Sequence, residues 1–72
     1  MSAGSTAQIV RMANQIAANL AARGHDEAVR ETAVHIRQFW DPRMRAALMA
    51  VDADELSQIA QEAREQLQVE AG

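Results

Sequence analysis

The chain has 72 residues, of which 49% are hydrophobic and 3% aromatic, and it carries a formal net charge of −3 and no cysteine. This length leaves room for one small domain, which buries only about 60% of the surface of its unfolded chain, so a partner or self-association is expected. The absence of cysteine excludes disulfide bonds, thiolate metal ligands and a cysteine nucleophile.

The charge is unevenly distributed along the chain. Residues 1–24 contain two arginines and no acidic residue, whereas residues 52–72 contain six acidic residues and one arginine. A protein that binds a nucleic-acid backbone needs a net basic face, so nucleic acid is not expected as a partner. No apolar run reaches the roughly 20 residues of a membrane span, and the N-terminus lacks the features of a signal peptide. We therefore expect no membrane contact and a cytoplasmic location.

Capping and stop signals divide the chain into helices, while the alternating pattern of strands is missing. Ser5 begins a capping box, and Gly24 supplies a stop after the first helix. Asp26 is predicted to cap a second helix. Pro42 ends that helix and, with Asp41 as N-cap, starts a third.

Asp52 and Glu55 repeat the capping-box spacing and predict a fourth helix. The expected fold is all-α, a small antiparallel bundle of three to four helices in a single domain over residues 1–72. Whether the third and fourth helices are separate or form one bent rod stays open, because the segment between them contains no glycine or proline. The predicted helices cover about residues 6–23, 26–40, 42–51 and 53–68.

The chain offers little material for catalysis. Its two histidines, His25 and His35, would need carboxylates to complete a zinc site, and its three glycines are too far apart to form a phosphate-binding loop. We expect no catalytic, cofactor-binding or metal-binding residue, and no cofactor in this chain.

Residues 35–45 stand out, because they hold both aromatic residues, three of the seven arginines and the only proline. Trp40 continues the apolar stripe of the second helix and is predicted to be the main core residue, whereas Phe39 projects about 80–100° away from it. Exposed aromatic, methionine and arginine side chains are enriched at protein interfaces, although solvated surface residues are the alternative. The segment predicts a partner-binding set of His35, Arg37, Phe39, Trp40, Arg43, Arg45 and Met49, with Asp41 and Pro42 forming the corner.

Two adjacent amides on the first helix add to this set. Asn14 lies roughly opposite the apolar stripe, and Gln15 lies on its flank. Both are predicted to bind the backbone of a partner, and solvated amides are the alternative.

Residues 9–17 (IVRMANQIA) and 35–45 (HIRQFWDPRMR) resemble the delta subunit of the NAD-dependent, molybdenum-containing formate dehydrogenases of bacteria. The second block matches the pattern H-I-R-x-F-W-[DE]-P-R-M-R of that family. The two blocks cover most of residues 9–49. The positions that match the family's motifs, which the resemblance implies have contact or corner-forming roles, are Asn14, Gln15, His35, Arg37, Phe39, Trp40, Asp41, Pro42, Arg43 and Arg45.

The resemblance implies a non-catalytic accessory subunit. In the family, formate is oxidised at a molybdenum cofactor in the large alpha subunit, and electrons pass through iron–sulfur clusters to flavin and NAD in other subunits. The leading hypothesis is that this chain docks on the catalytic alpha subunit through residues 37–49 and supports assembly, cofactor insertion or stability.

Two other hypotheses stay open at this point. In the first hypothesis, the chain is a stand-alone homodimeric helical module, because its narrow alanine-rich stripes and Phe39 also suit self-association in isolation. Alternatively, its arginines bind the phosphate of a molybdenum pterin nucleotide, since guanidinium groups pair with phosphate in a bidentate geometry.

Overall fold

The computed structural model describes residues 5–71, which form four helices and no strand. The helices are α1 (Thr6–Leu20, followed by a 3₁₀ turn at Ala21–Arg23), α2 (His25–Phe39), α3 (Pro42–Ala50) and, after a 3₁₀ turn at Ala53–Glu55, α4 (Gln58–Ala71). The predicted all-α class is confirmed, and α3 and α4 are separate helices.

The start of α1 follows the predicted capping, whereas the start of α2 does not. Ser5 Oγ accepts a hydrogen bond from the Gln8 amide at 3.3 Å. Gly24 precedes α2 with a φ of +100°, a backbone conformation that favours glycine, and its carbonyl accepts from the Ala28 amide at 2.9 Å. The prediction that Asp26 caps α2 is wrong. Asp26 lies in the first turn, where its carboxylate suits the positive end of the helix dipole.

The fourth helix begins five residues later than predicted. Asp52 makes no side-chain cap hydrogen bond, and Leu56 is extended at φ −100° and ψ 144°. Ser57 is the residue that starts α4, because its Oγ accepts from the Ala60 amide at 3.2 Å and its carbonyl accepts from the Gln61 amide. The extended conformation lets Leu56 reach the core, where it is 4% exposed.

One hydrophobic core receives side chains from all four helices. Five of its twelve buried members are alanine, so the helices approach closely and the area that is buried depends on a few larger side chains. These buried members are Ile9, Ala13, Ala17, Ala33, Ile36, Trp40, Leu48, Val51, Leu56, Ala60, Ala63 and Leu67.

Two side-chain pairs show how α2 lies against α4. His25 Nε2 lies 2.9 Å from Glu62 Oε1 near the beginning of both helices, and Arg37 pairs with Glu70 near their ends. The two helices therefore run in the same direction, as the second and fourth helices of an alternating bundle do.

The Glu62 carboxylate of this interface has a shifted pKa. Hydrogen bonds from Gln58, at 2.7 Å, and then from His25 lower the pKa of Glu62 below its ordinary value. Because the folded-state pKa is lowered, this interaction stabilises the fold above the ordinary carboxyl pKa. The stabilisation is lost as the pH falls through the folded-state value.

Thr32 is a polar residue inside α2 that is 0% exposed. Within residues 5–71, its Oγ1 is the one buried side-chain polar atom that has no hydrogen-bond partner. An unpaired buried hydroxyl is unfavourable, because it loses its bonds to water and gains nothing in return.

We therefore expect Thr32→Val to raise the free energy of unfolding by about 1 kcal/mol, since valine has the same shape without the hydroxyl. Urea denaturation followed by circular dichroism measures this change. Thr32→Ser keeps the hydroxyl and removes the methyl group, so it should lower stability by about 1 kcal/mol. A Thr32→Val variant that is less stable than the native chain would show that the hydroxyl has a partner.

Candidate functional site

The corner between α2 and α3 separates the two adjacent aromatic residues. Trp40 follows the last residue of α2 and is extended at φ −91° and ψ 136°, while its amide still donates to the Ile36 carbonyl at 3.0 Å. This turn places the indole in the core at 4% exposure. Phe39, one residue earlier, is 69% exposed.

Asp41 and Pro42 lie at this corner. Asp41 Oδ1 accepts from the Met44 amide at 2.8 Å, which makes it the N-cap of α3, and Pro42 occupies the first turn, where its missing N–H leaves no hydrogen bond unmade. The burial of Trp40 corrects its place in the predicted partner-binding set, because an indole at 4% exposure offers a partner almost no surface. Its role is to anchor the corner.

Arg45 donates hydrogen bonds at the same corner. Its Nη1 donates to the Trp40 carbonyl at 2.8 Å and to the Arg37 carbonyl at 3.3 Å. Carbonyls at the end of a helix have no partner within that helix, so this guanidinium satisfies the end of α2 from α3.

Arg37 makes a bidentate pair across the bundle. Its Nε donates to Glu70 Oε1 at 3.0 Å and its Nη2 donates to Oε2 at 2.8 Å. Arg37, Arg45 and Met49 line one shallow groove together with Leu67 of α4. Both arginines of this groove therefore already have partners within the chain.

His35 and Phe39 form a separate feature, which we call the aromatic patch. Their ring centroids lie 4.8 Å apart at an interplanar angle of 43°, and both side chains are exposed. They are four residues apart, so they lie on the same side of α2. Arg37 lies about 200° around the helix from His35, on the side that faces Glu70.

The residues of the predicted partner-binding set therefore lie on two faces. His35 and Phe39 lie on one, whereas Arg37, Arg45 and Met49 line the groove beside α4. Arg43 is exposed at the start of α3, in a groove between α1 and α3. The structure does not bring the three arginines of residues 35–45 into one phosphate-binding cluster.

The two amides of α1 bind within the chain. Asn14 Nδ2 donates to the Glu55 carbonyl at 3.0 Å, and Asn14 Oδ1 accepts from the Ser57 amide at 2.8 Å. Gln15 Nε2 donates to Asn19 Oδ1 at 3.2 Å. Asn14 does bind backbone groups, but these belong to the segment that precedes α4 in the same chain. Its contact with a partner, like that of Gln15, stays a prediction.

We expect Asn14→Ala to lower the free energy of unfolding by about 1 kcal/mol, because it removes two hydrogen bonds that join α1 to the backbone before α4. Gln15→Ala, one residue further along α1, is the matched control and should change stability by less than about 0.5 kcal/mol. Thermal denaturation of the two variants measures the difference. Equal thermal denaturation midpoints for the two variants would show that the hydrogen bonds of Asn14 do not stabilise the fold.

Arg11 and Met12, which share a groove with His35 of the aromatic patch, were not predicted from the sequence as part of the site. Arg11 is exposed and lines a groove with Met12, Gln15, Ile16, His35 and Trp40. One sequence signal could have found Arg11, because the first 24 residues contain no acidic residue and so give it no carboxylate on its own helix. Met12 could not be distinguished from a core residue, because it lies on the edge of the apolar stripe.

The described residues show neither a metal site nor a membrane span. Among residues 5–71, no group of three or more histidine and acidic side chains is arranged to hold a metal ion. No helix in the same part of the chain is both long and apolar enough to cross a membrane. An exposed aromatic ring such as that of Phe39 is a side chain typical of contact with another protein.

Comparison with protein families matches residues 8–64 to the NADH-dependent formate dehydrogenase delta subunit FdsD. The match includes both sequence blocks, nearly all of α1, the whole of α2 and α3, and the beginning of α4. No curated protein and no solved structure gives a significant match.

Proposed function

The chain belongs to the family of the formate dehydrogenase delta subunit FdsD, and from this membership we propose that it is a non-catalytic accessory subunit of the enzyme complex. Its partner is the catalytic alpha subunit. Its contribution is to the assembly of that subunit, to the insertion of its cofactor or to its stability.

The observation that carries this proposal is the exposure of Phe39. An aromatic ring that is 69% exposed is unfavourable in water, and the His35 ring is its one aromatic contact among the described residues. A partner that covers the ring removes this apolar surface from water, which favours binding. The aromatic patch is therefore the centre of the proposed docking surface.

The use of the histidines supports a non-catalytic role. Histidine is the side chain best suited to proton transfer near neutral pH. In this chain, His25 pairs with Glu62 between two helices and His35 packs on Phe39. Each ring thus has a structural or a binding role.

The test is to express the remaining subunits of the formate dehydrogenase, with a tag on the alpha subunit, in the presence and absence of this chain. We expect the chain to be captured with the alpha subunit. We also expect it to increase the amount of assembled, molybdenum-loaded enzyme, while the turnover per molybdenum stays the same.

The Thr32→Val and Thr32→Ser variants provide an internal check, because Thr32 is fully buried and the amount of assembled enzyme should follow the stability of the delta chain. An enzyme that assembles and loads equally well without the chain, but turns over formate more slowly per molybdenum, would contradict an accessory role.

A further inference from the structure

The seven arginines are the only basic residues besides histidine, and five of them bind within the chain. Three pair with carboxylates and two donate to backbone carbonyls at helix ends. Among the described residues, Arg11 and Arg43 are the two arginines without a hydrogen bond or an ion pair. The five that are engaged are Arg23 with Glu31, Arg30 with Glu27, Arg37 with Glu70, Arg45 with the Trp40 and Arg37 carbonyls, and Arg64 with the Leu48 and Val51 carbonyls.

The two unpaired arginines border neighbouring apolar grooves. Arg43 lines a groove of about 370 Å³ between α1 and α3, which also contains Met12 and Met44. Arg11 lines a groove of about 320 Å³ between α1 and α2, which contains Met12 and Ile16. Met12 belongs to both grooves, so they form one surface.

We call this surface the methionine strip and define it as Met12, Ile16 and Met44 with Arg11 and Arg43 at its borders. The three apolar side chains pack against the core but stay partly exposed. Methionine side chains adapt their shape to different partners, and arginine stems cover apolar surface while the charged end stays free to pair.

Electrostatics restrict what can cover the strip. An apolar segment that covers it would remove water from two guanidinium groups, which is unfavourable unless carboxylates replace the water. The strip does not provide them itself, because Asp41 in the Arg43 groove already caps α3 through the Met44 amide. The occupant therefore has to bring its own acidic groups.

We propose that the methionine strip binds a segment of the catalytic subunit in which apolar side chains are flanked by carboxylates, one for Arg11 and one for Arg43. This inference rests on the proposed function and specifies the chemistry of the partner. The strip adjoins the aromatic patch through His35, which lines both the Arg11 groove and the groove beside Phe39. The two features thus form one continuous docking face.

The test uses capture of the chain by the tagged alpha subunit across a series of salt concentrations. We expect the Arg11→Gln, Arg43→Gln double variant to be captured roughly tenfold more weakly at low salt, with a smaller dependence on salt. The Arg11→Lys, Arg43→Lys variant keeps the charge and should retain most of the capture.

The control is the Ala53→Glu, Gln68→Glu double variant, which makes the same change in net charge at exposed positions outside the strip. Circular dichroism first establishes that each variant is folded. The control should be captured like the native chain. Equal losses for the control and the Arg→Gln variant, or no loss for either, would overturn the proposal.

Two other outcomes are distinguishable. Failure of the native chain to be captured at any salt concentration contradicts the proposed function itself. Self-association of the native chain that the Arg→Gln variant abolishes, together with undiminished capture of that variant, identifies a second copy as the occupant and overturns the proposal.

Discussion

Trp40→Ala is expected to lower the free energy of unfolding by about 3–5 kcal/mol, the usual cost of removing a large aromatic side chain from a core. Trp40 is 4% exposed, and five of the twelve buried core residues are alanine, so few other large side chains compensate for its loss. A core in a chain of this size rarely supplies more than about 3–5 kcal/mol in total. The variant should therefore be largely unfolded at room temperature, which far-UV circular dichroism measures.

The control for this prediction is Trp40→Phe, which keeps an aromatic ring at the corner and should retain a folded state of reduced stability. In the native chain, the fluorescence of this single tryptophan should be blue-shifted and protected from a soluble quencher. A Trp40→Ala variant with the helical content and urea midpoint of the native chain would show that the indole is not the anchor of the corner.

Phe39→Ala is expected to weaken binding to the catalytic subunit while leaving the stability of the chain almost unchanged. The ring is 69% exposed, so its removal should change the free energy of unfolding by less than about 0.5 kcal/mol. Truncation of an aromatic residue at the centre of an interface costs about 2 kcal/mol or more, so we expect roughly 30-fold weaker binding to the catalytic subunit. Titration of purified catalytic subunit with each chain measures the dissociation constant.

Val69 provides the matched control, because it is the other large hydrophobic side chain that is strongly exposed among the described residues, at 79%. Val69→Ala removes apolar surface from α4, away from the aromatic patch, and should leave the dissociation constant unchanged. Equal affinities of the Phe39→Ala variant and the native chain would remove the aromatic patch from the interface.

The helices could be predicted from the sequence where a local signal decides the conformation. Ser5 and Asp41 both accept the hydrogen bond of an N-cap, and Pro42 begins α3, because each of these effects involves residues no more than three positions apart. The start of α4 could not be predicted in this way. The capping signal at Asp52 predicted an earlier start, whereas α4 starts at Ser57 and the extended Leu56 before it is buried in the core, a long-range contact that no local signal indicates.

The candidate site was predictable only in part. The contrast between Trp40 and Phe39 follows from the helix period, so a core ring and an exposed ring in adjacent positions could be expected. The hydrogen-bond partners of the arginines could not be predicted from the sequence. Glu70 lies 33 residues from Arg37 in the chain, and the helix period does not indicate which carboxylates the fold brings near.

Asn14 illustrates a different limit. Its position opposite the apolar stripe of α1 indicated that its amide would bind a backbone, and it does so with two hydrogen bonds. The backbone groups belong to Glu55 and Ser57, which follow Asn14 by 41 and 43 positions in the same chain. An amphipathic pattern shows which face of a helix is polar, but it does not distinguish a partner protein from a distant segment of the same chain.

Photo-crosslinking from position 39 tests the docking of the aromatic patch on the catalytic subunit most directly. Phe39 is replaced by the photoreactive benzoylphenylalanine, which keeps a phenyl ring attached to the backbone, and the same residue is placed at Val69 in a separate chain. After irradiation of the assembled complex, we predict that position 39 crosslinks to the catalytic subunit and that position 69 does not. Crosslinks from position 69 alone, or crosslinks from position 39 only to a second copy of this chain, would contradict this docking.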